Sequence, residues 1–303
     1  MRESGQFSNN RKPRAKTTER FFSVVTGTCL VTFLLLISGV VKAEHNIDPP
    51  KGRIAISADG NAHDPDDWLA TPLALAMIDA AGLSDRLVHL DYANELGPPN
   101  KKSKLKRIHQ AVRGGVERFG FSRDIAFNDQ TQLDKSLANL AQAINESTAK
   151  DPLWIIAQGP METVWRGLDQ AKAGKRQHVH VVSHSDWNNN HTHPPETTHT
   201  WDDLKADFEA EGVTFHRIRD QNSARQSDNM DRDMNSPKKH WHWLRDADRE
   251  DWRWLYRQNA KQQFDASDAG MTYWWLTGGP NGGDQQGGPD KVKHLLTNPV
   301  RQE

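Results

Sequence analysis

Residues 59–68 read DGNAHDPDDW, which places the carboxylates of Asp59, Asp64, Asp66 and Asp67 within nine positions, directly after the apolar stretch RIAISA. Two unit charges ~4 Å apart repel by roughly 4 kcal/mol at an effective dielectric near 20. Such crowding has two solutions. On an exposed loop water screens the charges, and Asx-turn hydrogen bonds account for the Asp, Asn and Gly content. Around a bound cation the same carboxylates become ligands, since hard cations take oxygens from carboxylates, carbonyls and water together. His63, inside the turn, is a candidate proton donor or substrate contact.

Three other stretches carry chemistry. FDASDAG (264–270) sets Asp265 and Asp268 immediately before an apolar helix, where an Asp serves either as a helix cap or as a ligand. WIIAQGP (154–160) ends a buried-type strand. SHSDWNNNHTH (183–193) offers Trp187 as a stacking surface and Asn188, Asn189 and Asn190 as amide donors and acceptors. His191 and His193, with His184 and His199 nearby, raise a rival zinc or copper site, although HTHPPETTHT also reads as an exposed polar loop.

Composition narrows the setting. The chain has 303 residues, and its first 43 join a basic segment to FFSVVTGTCLVTFLLLISGVV and a Val41-Lys42-Ala43 step, the pattern of a secretory signal peptide cut after Ala43. An uncleaved anchor is the competing reading, because the apolar run approaches the ~20 residues that span a bilayer. Cleavage implies an exported, periplasmic or extracellular protein with no stable membrane association. Cys29 is the single cysteine and leaves with the signal, so disulfides, thiolate metal sites and a cysteine nucleophile are excluded from residues 44–303. The first 43 residues hold seven basic and two acidic side chains, which leaves 32 basic against 38 acidic in the remainder, a net of about −6. That balance argues against nucleic acid as a partner. Eleven tryptophans, mostly in the C-terminal half, suit core packing or a sugar-stacking platform.

The elements that must position these groups follow from periodicity. Strands are expected at 53–58, 86–92, 152–158, 178–185 and 213–220. Helices are expected at 66–82, 102–120, 133–148, from 159 to a close at Gly174, 200–212, 250–263 and 269–278. Alternating strands and helices predict an α/β fold, a mostly parallel open sheet flanked by helices, in one domain over 44–303. The stretch 225–243 is expected to be a lid or surface loop, and no strand is expected after 222. Homo-oligomer formation is left open. Ligands of such sheets bind outside the carboxyl ends of the strands, where the acidic turn lies.

Three of these stretches, in order, resemble the inosine–uridine-type nucleoside hydrolases: the Asp-rich turn closed by Asp66-Asp67, IIAQGPMETVW, and FDASDAGMTYWWL. The resemblance implies a nucleoside hydrolase-like fold with Ca2+ at the floor of a pocket. Carried over position by position, it assigns metal ligation to Asp59, Asp67, the Gln158 carbonyl and Asp268, and sugar hydroxyls to Asp66. It also implies substrate contacts from 187–190. The turn is longer than the family's, and the family's second Asp falls on Asn61. An amide there can ligate but cannot take a proton, so Asp59 or Asp64 must serve as base. The helix start reads Met161-Glu162-Thr163 where Leu-Thr-Asn is usual. The chain therefore looks closer to exported relatives of that fold, some associated with polysaccharide degradation. The implied chemistry is hydrolysis of an N- or O-glycosidic bond in a nucleoside or glycoside by metal-activated water. A non-catalytic carbohydrate- or metal-binding protein on the same fold is the alternative that Asn61 permits.

Overall fold

The structure is a computed structural model that describes residues 47–97, 100–222, 233–259, 264–283 and 286–299. The expected signal segment and the 225–232 part of the expected lid lie outside the described residues. In chain order the elements are β1 (Arg53–Ala58), α1 (Asp67–Ala80), β2 (Leu87–Tyr92), α2 (Lys102–Arg118), β3 (Ala126–Asn128), α3 (Asp129–Asn145), β4 (Leu153–Gln158) and α4 (Glu162–Gln170). There follow α5 (Ala173–Arg176), β5 (Val179–Ser183), α6 (Asp186–Asn190), α7 (Trp201–Phe208) and β6 (Thr214–Arg217). The chain ends with β7 (Asn235–Ser236), α8 (His242–Arg245), α9 (Glu250–Gln258), β8 (Phe264–Asp265), α10 (Ala269–Leu276) and α11 (Pro289–Thr297).

Six parallel strands form one sheet in the order β3-β2-β1-β4-β5-β6. The expected α/β class, a parallel open sheet flanked by helices, is what the chain adopts. Strand side chains alternate between faces. Ile54, Ile56 and Ala58 of β1, with Trp154 and Ile156 of β4, pack against apolar residues of α1, α2, α9, α10 and α11. Ala55, Ile155 and Val181 point the other way, against Leu140 and Ile144 of α3, Val164 and Leu168 of α4, and Leu204 and Phe208 of α7. Burying both faces explains why these strands read as continuous apolar runs.

The chain builds β1, β2 and β3 in one direction, then returns to place β4 on the other side of β1 and continues outward. β1 and β4 are paired over their whole length, Arg53 opposite Leu153 through Ala58 opposite Gln158. Helices leaving these two strands depart to opposite faces, which opens a crevice beyond their carboxyl ends, the usual ligand position in such sheets.

Several expectations need correction. β3 was not expected, because three residues are too few to show alternation. The helix after 160 ends with Ala171 in extended backbone, and Gly174 lies inside the separate short α5. Among the described residues after 222 there are two strands, β7 and β8, which pair antiparallel over two residues each. SDWNNN is a short helix capped by Ser185, whose side chain accepts a hydrogen bond from the Asn188 N–H.

Candidate functional site

The acidic turn begins where β1 stops. Gly60 takes φ +85°, a left-handed conformation that glycine adopts without steric cost. Ala93, just past β2, has φ 63°, which costs an alanine about 1–2 kcal/mol. The surroundings hold it there. Its N–H donates to the Asp59 carbonyl at 3.1 Å, and the Asn94 N–H donates to the Ala58 carbonyl at 3.1 Å. The ends of β1 and β2 are thereby locked together.

Asp59 and Asp67 are both fully buried. Asp67 Oδ2 accepts the Asp59 N–H at 3.0 Å, while Asp67 Oδ1, equally buried, has no hydrogen-bond partner. Burial, and then the neighbouring charges of Asp268, Asp64 and Asp66, push the Asp67 carboxyl well above the ordinary range. Burial likewise raises Asp59, followed by the charges of Asp67, Asp64, Asp268 and Glu95. A further oxygen joins them. The missing side chain of Gly159 lets strand ends approach, for a Cβ there would lie 2.6 Å from Asn94 Oδ1 and 3.0 Å from Asp59 Cβ. Asn94 Nδ2 donates to Ser57 Oγ at 2.9 Å, which leaves Asn94 Oδ1 buried without a donor. Two buried oxygens without donors, beside acids that repel one another, are a polar arrangement that protein groups alone do not satisfy.

Asp268 sits at the start of α10 but makes no side-chain cap to it. Its Oδ1 accepts the His184 ring Nε2–H at 2.8 Å and Asn188 Nδ2 at 2.8 Å. Asp265 Oδ1 accepts Ser267 Oγ at 3.0 Å, a bond that precedes the helix. The backbone hydrogen bond between Gln158 and Asp59 runs from the Asp59 N–H to the Gln158 carbonyl at 3.3 Å, and Gln158 Nε2 donates to the Asp268 carbonyl at 3.1 Å. His184 is buried, which disfavours its charge, but hydrogen bonds to Asp220 and Asp268 and their negative charges outweigh burial and raise its pKa to about 9. His184 and Asn188 therefore orient Asp268.

A pocket of about 290 Å³ lies above these groups, lined among others by Asp64, Asp66, Trp187, Asn188, Asp265 and Asp268. The expected acids thus come together from two places in the chain, the turn at 59–67 and the stretch at 265–268. The three asparagines do not act as a set. Asn188 serves Asp268, Asn189 is buried and accepts from Ser183 Oγ at 2.6 Å, and Asn190 is exposed and donates to the Asp186 carbonyl. Both ends of the Asn61 amide are committed: Nδ2 donates to the Glu95 carbonyl and to Asn100, and Oδ1 accepts the Glu95 N–H. His63 turns its ring to Glu95 rather than to the pocket acids.

The four histidines of the rival metal reading are not gathered at one point. His184 bonds Asp268, and His199 bonds Glu162 at 2.8 Å. His191 reaches Glu95 at 3.0 Å, while His193 makes backbone bonds to Thr197. Sequence reasoning passed over Asn94 and Glu95, whose one local signal was their place just beyond a strand. Glu162, noted as a departure, pins the loop before α7: its Oε2 accepts the Thr198 and His199 N–H groups at 2.8 and 3.0 Å.

No family model matches the chain. A protein of Formosa agariphila with the description "Uncharacterized protein P22" is 36% identical over 272 residues, a span that covers 84% of this chain and 94% of that protein. At 36% identity over 84% of this chain, the chain belongs to the same family as this Formosa agariphila protein.

Proposed function

We propose that the chain is an exported hydrolase of an N- or O-glycosidic bond that works with bound calcium, on a nucleoside hydrolase-like arrangement. The observation that carries this reading is the pair of buried, donorless oxygens, Asp67 Oδ1 and Asn94 Oδ1, beside Asp59. Calcium suits that all-oxygen surrounding, and the residues that would hold it are Asp59, Asp67, Asp268, Asn94 and the Gln158 carbonyl. When bound, calcium supplies positive charge that makes a neighbouring water more acidic and lets the crowded carboxylates stay ionised.

The protein's own groups do the remaining work. Asp64, on the pocket wall, accepts the proton of the attacking water at its carboxylate. Asp66 accepts hydrogen bonds from sugar hydroxyls, and Trp187 stacks on the ring. His184 and Asn188 hold Asp268 in place. The concentrated negative charge favours the oxocarbenium-like transition state of glycosidic cleavage.

One observation favours the second reading, a non-catalytic binding protein: Asn61 occupies the expected base position and its amide is fully engaged elsewhere. Assay of the protein against nucleosides and a glycoside panel, with calcium and with chelator, separates the two. Turnover that needs calcium, falls about 10²-fold or more in Asp64→Asn with calcium binding retained, and vanishes with calcium binding in Asp67→Asn supports the hydrolase. Calcium-dependent sugar binding without turnover on any substrate class supports the binding protein.

A further inference from the structure

A second group of ligand-type side chains lies beside the acidic pocket and uses different donors. His63 comes from the acidic turn, Glu95 from the segment after β2, and His191 from the end of α6. One ligand atom from each lies within 4.8 Å of the others. His63 Nδ1 and His191 Nε2 both aim at the same carboxylate oxygen, Glu95 Oε1. Among the described residues this is the group of three or more His, Cys, Asp or Glu side chains that meets this closeness.

The supports of each side chain are what a ligand set requires. Glu95 is fully buried, and its other oxygen accepts the His63 N–H at 2.8 Å. Its main chain is held on both sides, the N–H by Asn61 Oδ1 at 3.2 Å and the carbonyl by Asn61 Nδ2 at 2.9 Å. The His191 ring stacks on Trp187 with centroids 4.2 Å apart and planes 18° from parallel, which fixes the direction of its Nε2. The His63 side chain is 57% exposed, so the group opens to solvent on that side. Secondary contacts that fix imidazole and carboxylate orientation are characteristic of metal centres.

We infer that His63, Glu95 and His191 form a binding site for a divalent transition-metal ion, with zinc the best match. Two imidazoles and one carboxylate suit zinc, which binds nitrogen at about 2.0–2.1 Å and oxygen at about 2.0–2.2 Å, and leave a fourth tetrahedral position for water or a substrate oxygen. Calcium prefers hard oxygen ligands and has little use for two imidazoles. The site shares no ligand with the acids around Asp67, and the proposal stands whether or not those acids bind calcium.

The test uses the full chain, stripped with chelator, dialysed into calcium, and titrated with zinc chloride by calorimetry, with zinc content measured after gel filtration. One zinc per chain is expected. His63→Ala and His191→Ala should each weaken zinc by at least about tenfold, the scale on which even orienting partners of metal ligands act. Because the His63 side chain is largely exposed, His63→Ala should still fold, with a circular-dichroism spectrum like that of the metal-free wild type, which separates ligand loss from misfolding. Cobalt(II) in place of zinc should give visible bands that change in His63→Ala. Asp67→Asn should keep zinc while losing calcium. Absence of stoichiometric zinc, or zinc retained at full affinity in both histidine variants, would overturn the proposal.

Discussion

At the scale of single residues, the behaviour of Asp67 follows from its two oxygens. One accepts a backbone N–H and the other meets no donor, while three more carboxylates press on it. Without a cation, replacing this carboxylate by an amide of the same shape removes repulsion and retains the acceptor for Asp59 N–H. In chelator Asp67→Asn should therefore melt above the wild type in scanning calorimetry. Added calcium should reverse the order, because a ligand at about 100 times its Kd stabilises the protein that binds it by roughly 2.7 kcal/mol and leaves the variant unmoved. Equal melting temperatures under both conditions would count against the cation reading. The four acids of the turn were visible in the sequence because charge density is a local property. Asn94 and Glu95 were not, since their partners lie more than thirty positions away and only the pairing of β1 with β2 brings them near.

At the scale of elements, the site depends on how closely the ends of β1 and β4 approach. Gly159 sits at that junction, and an added methyl would lie 2.6 Å from Asn94 Oδ1 and 3.0 Å from Asp59 Cβ. Gly159→Ala should destabilise by about 1–3 kcal/mol, the usual cost of overpacking, and weaken calcium in the same samples. A thermal melt paired with calorimetric titration checks both, and an unchanged calcium affinity would separate this junction from the ion. Five of the six sheet strands were readable because buried β-branched runs such as LWIIAQ and VHVVS leave a strong pattern. The short strands β3, β7 and β8 leave none, for two or three residues take their conformation from the neighbour they pair with rather than from their own sequence.

At the scale of the whole molecule, the sheet's far edge holds a pH-sensitive contact. His180 of β5 stacks on Trp154 with centroids 3.9 Å apart, and its Nδ1 lies 3.1 Å from His216 Nε2 on β6. Burial, then the His216 ring, lowers the His180 pKa to about 4. An unfolded histidine titrates near 6.5, so between about pH 6.5 and 4 the unfolded chain takes up a proton that the folded chain refuses. The stability that depends on His180 should fall as pH drops through that window and change no further below it. His180→Phe, which keeps the stack, should show a smaller loss between pH 7 and 4.5 in melts run side by side. An identical decline in both proteins would place the acid sensitivity elsewhere.

The six strands of the main sheet end at Arg217, yet Asp268 arrives some fifty residues later, on a segment whose described residues add no strand to that sheet. That segment also delivers Tyr273 and Trp275, both fully buried against the sheet. On the proposed calcium reading, a chain that has every sheet strand still lacks the last carboxylate until the segment carrying Asp268 is in place. Apolar burial and placement of that carboxylate are thus coupled, because the helix that begins after Asp268 also covers one face of the sheet.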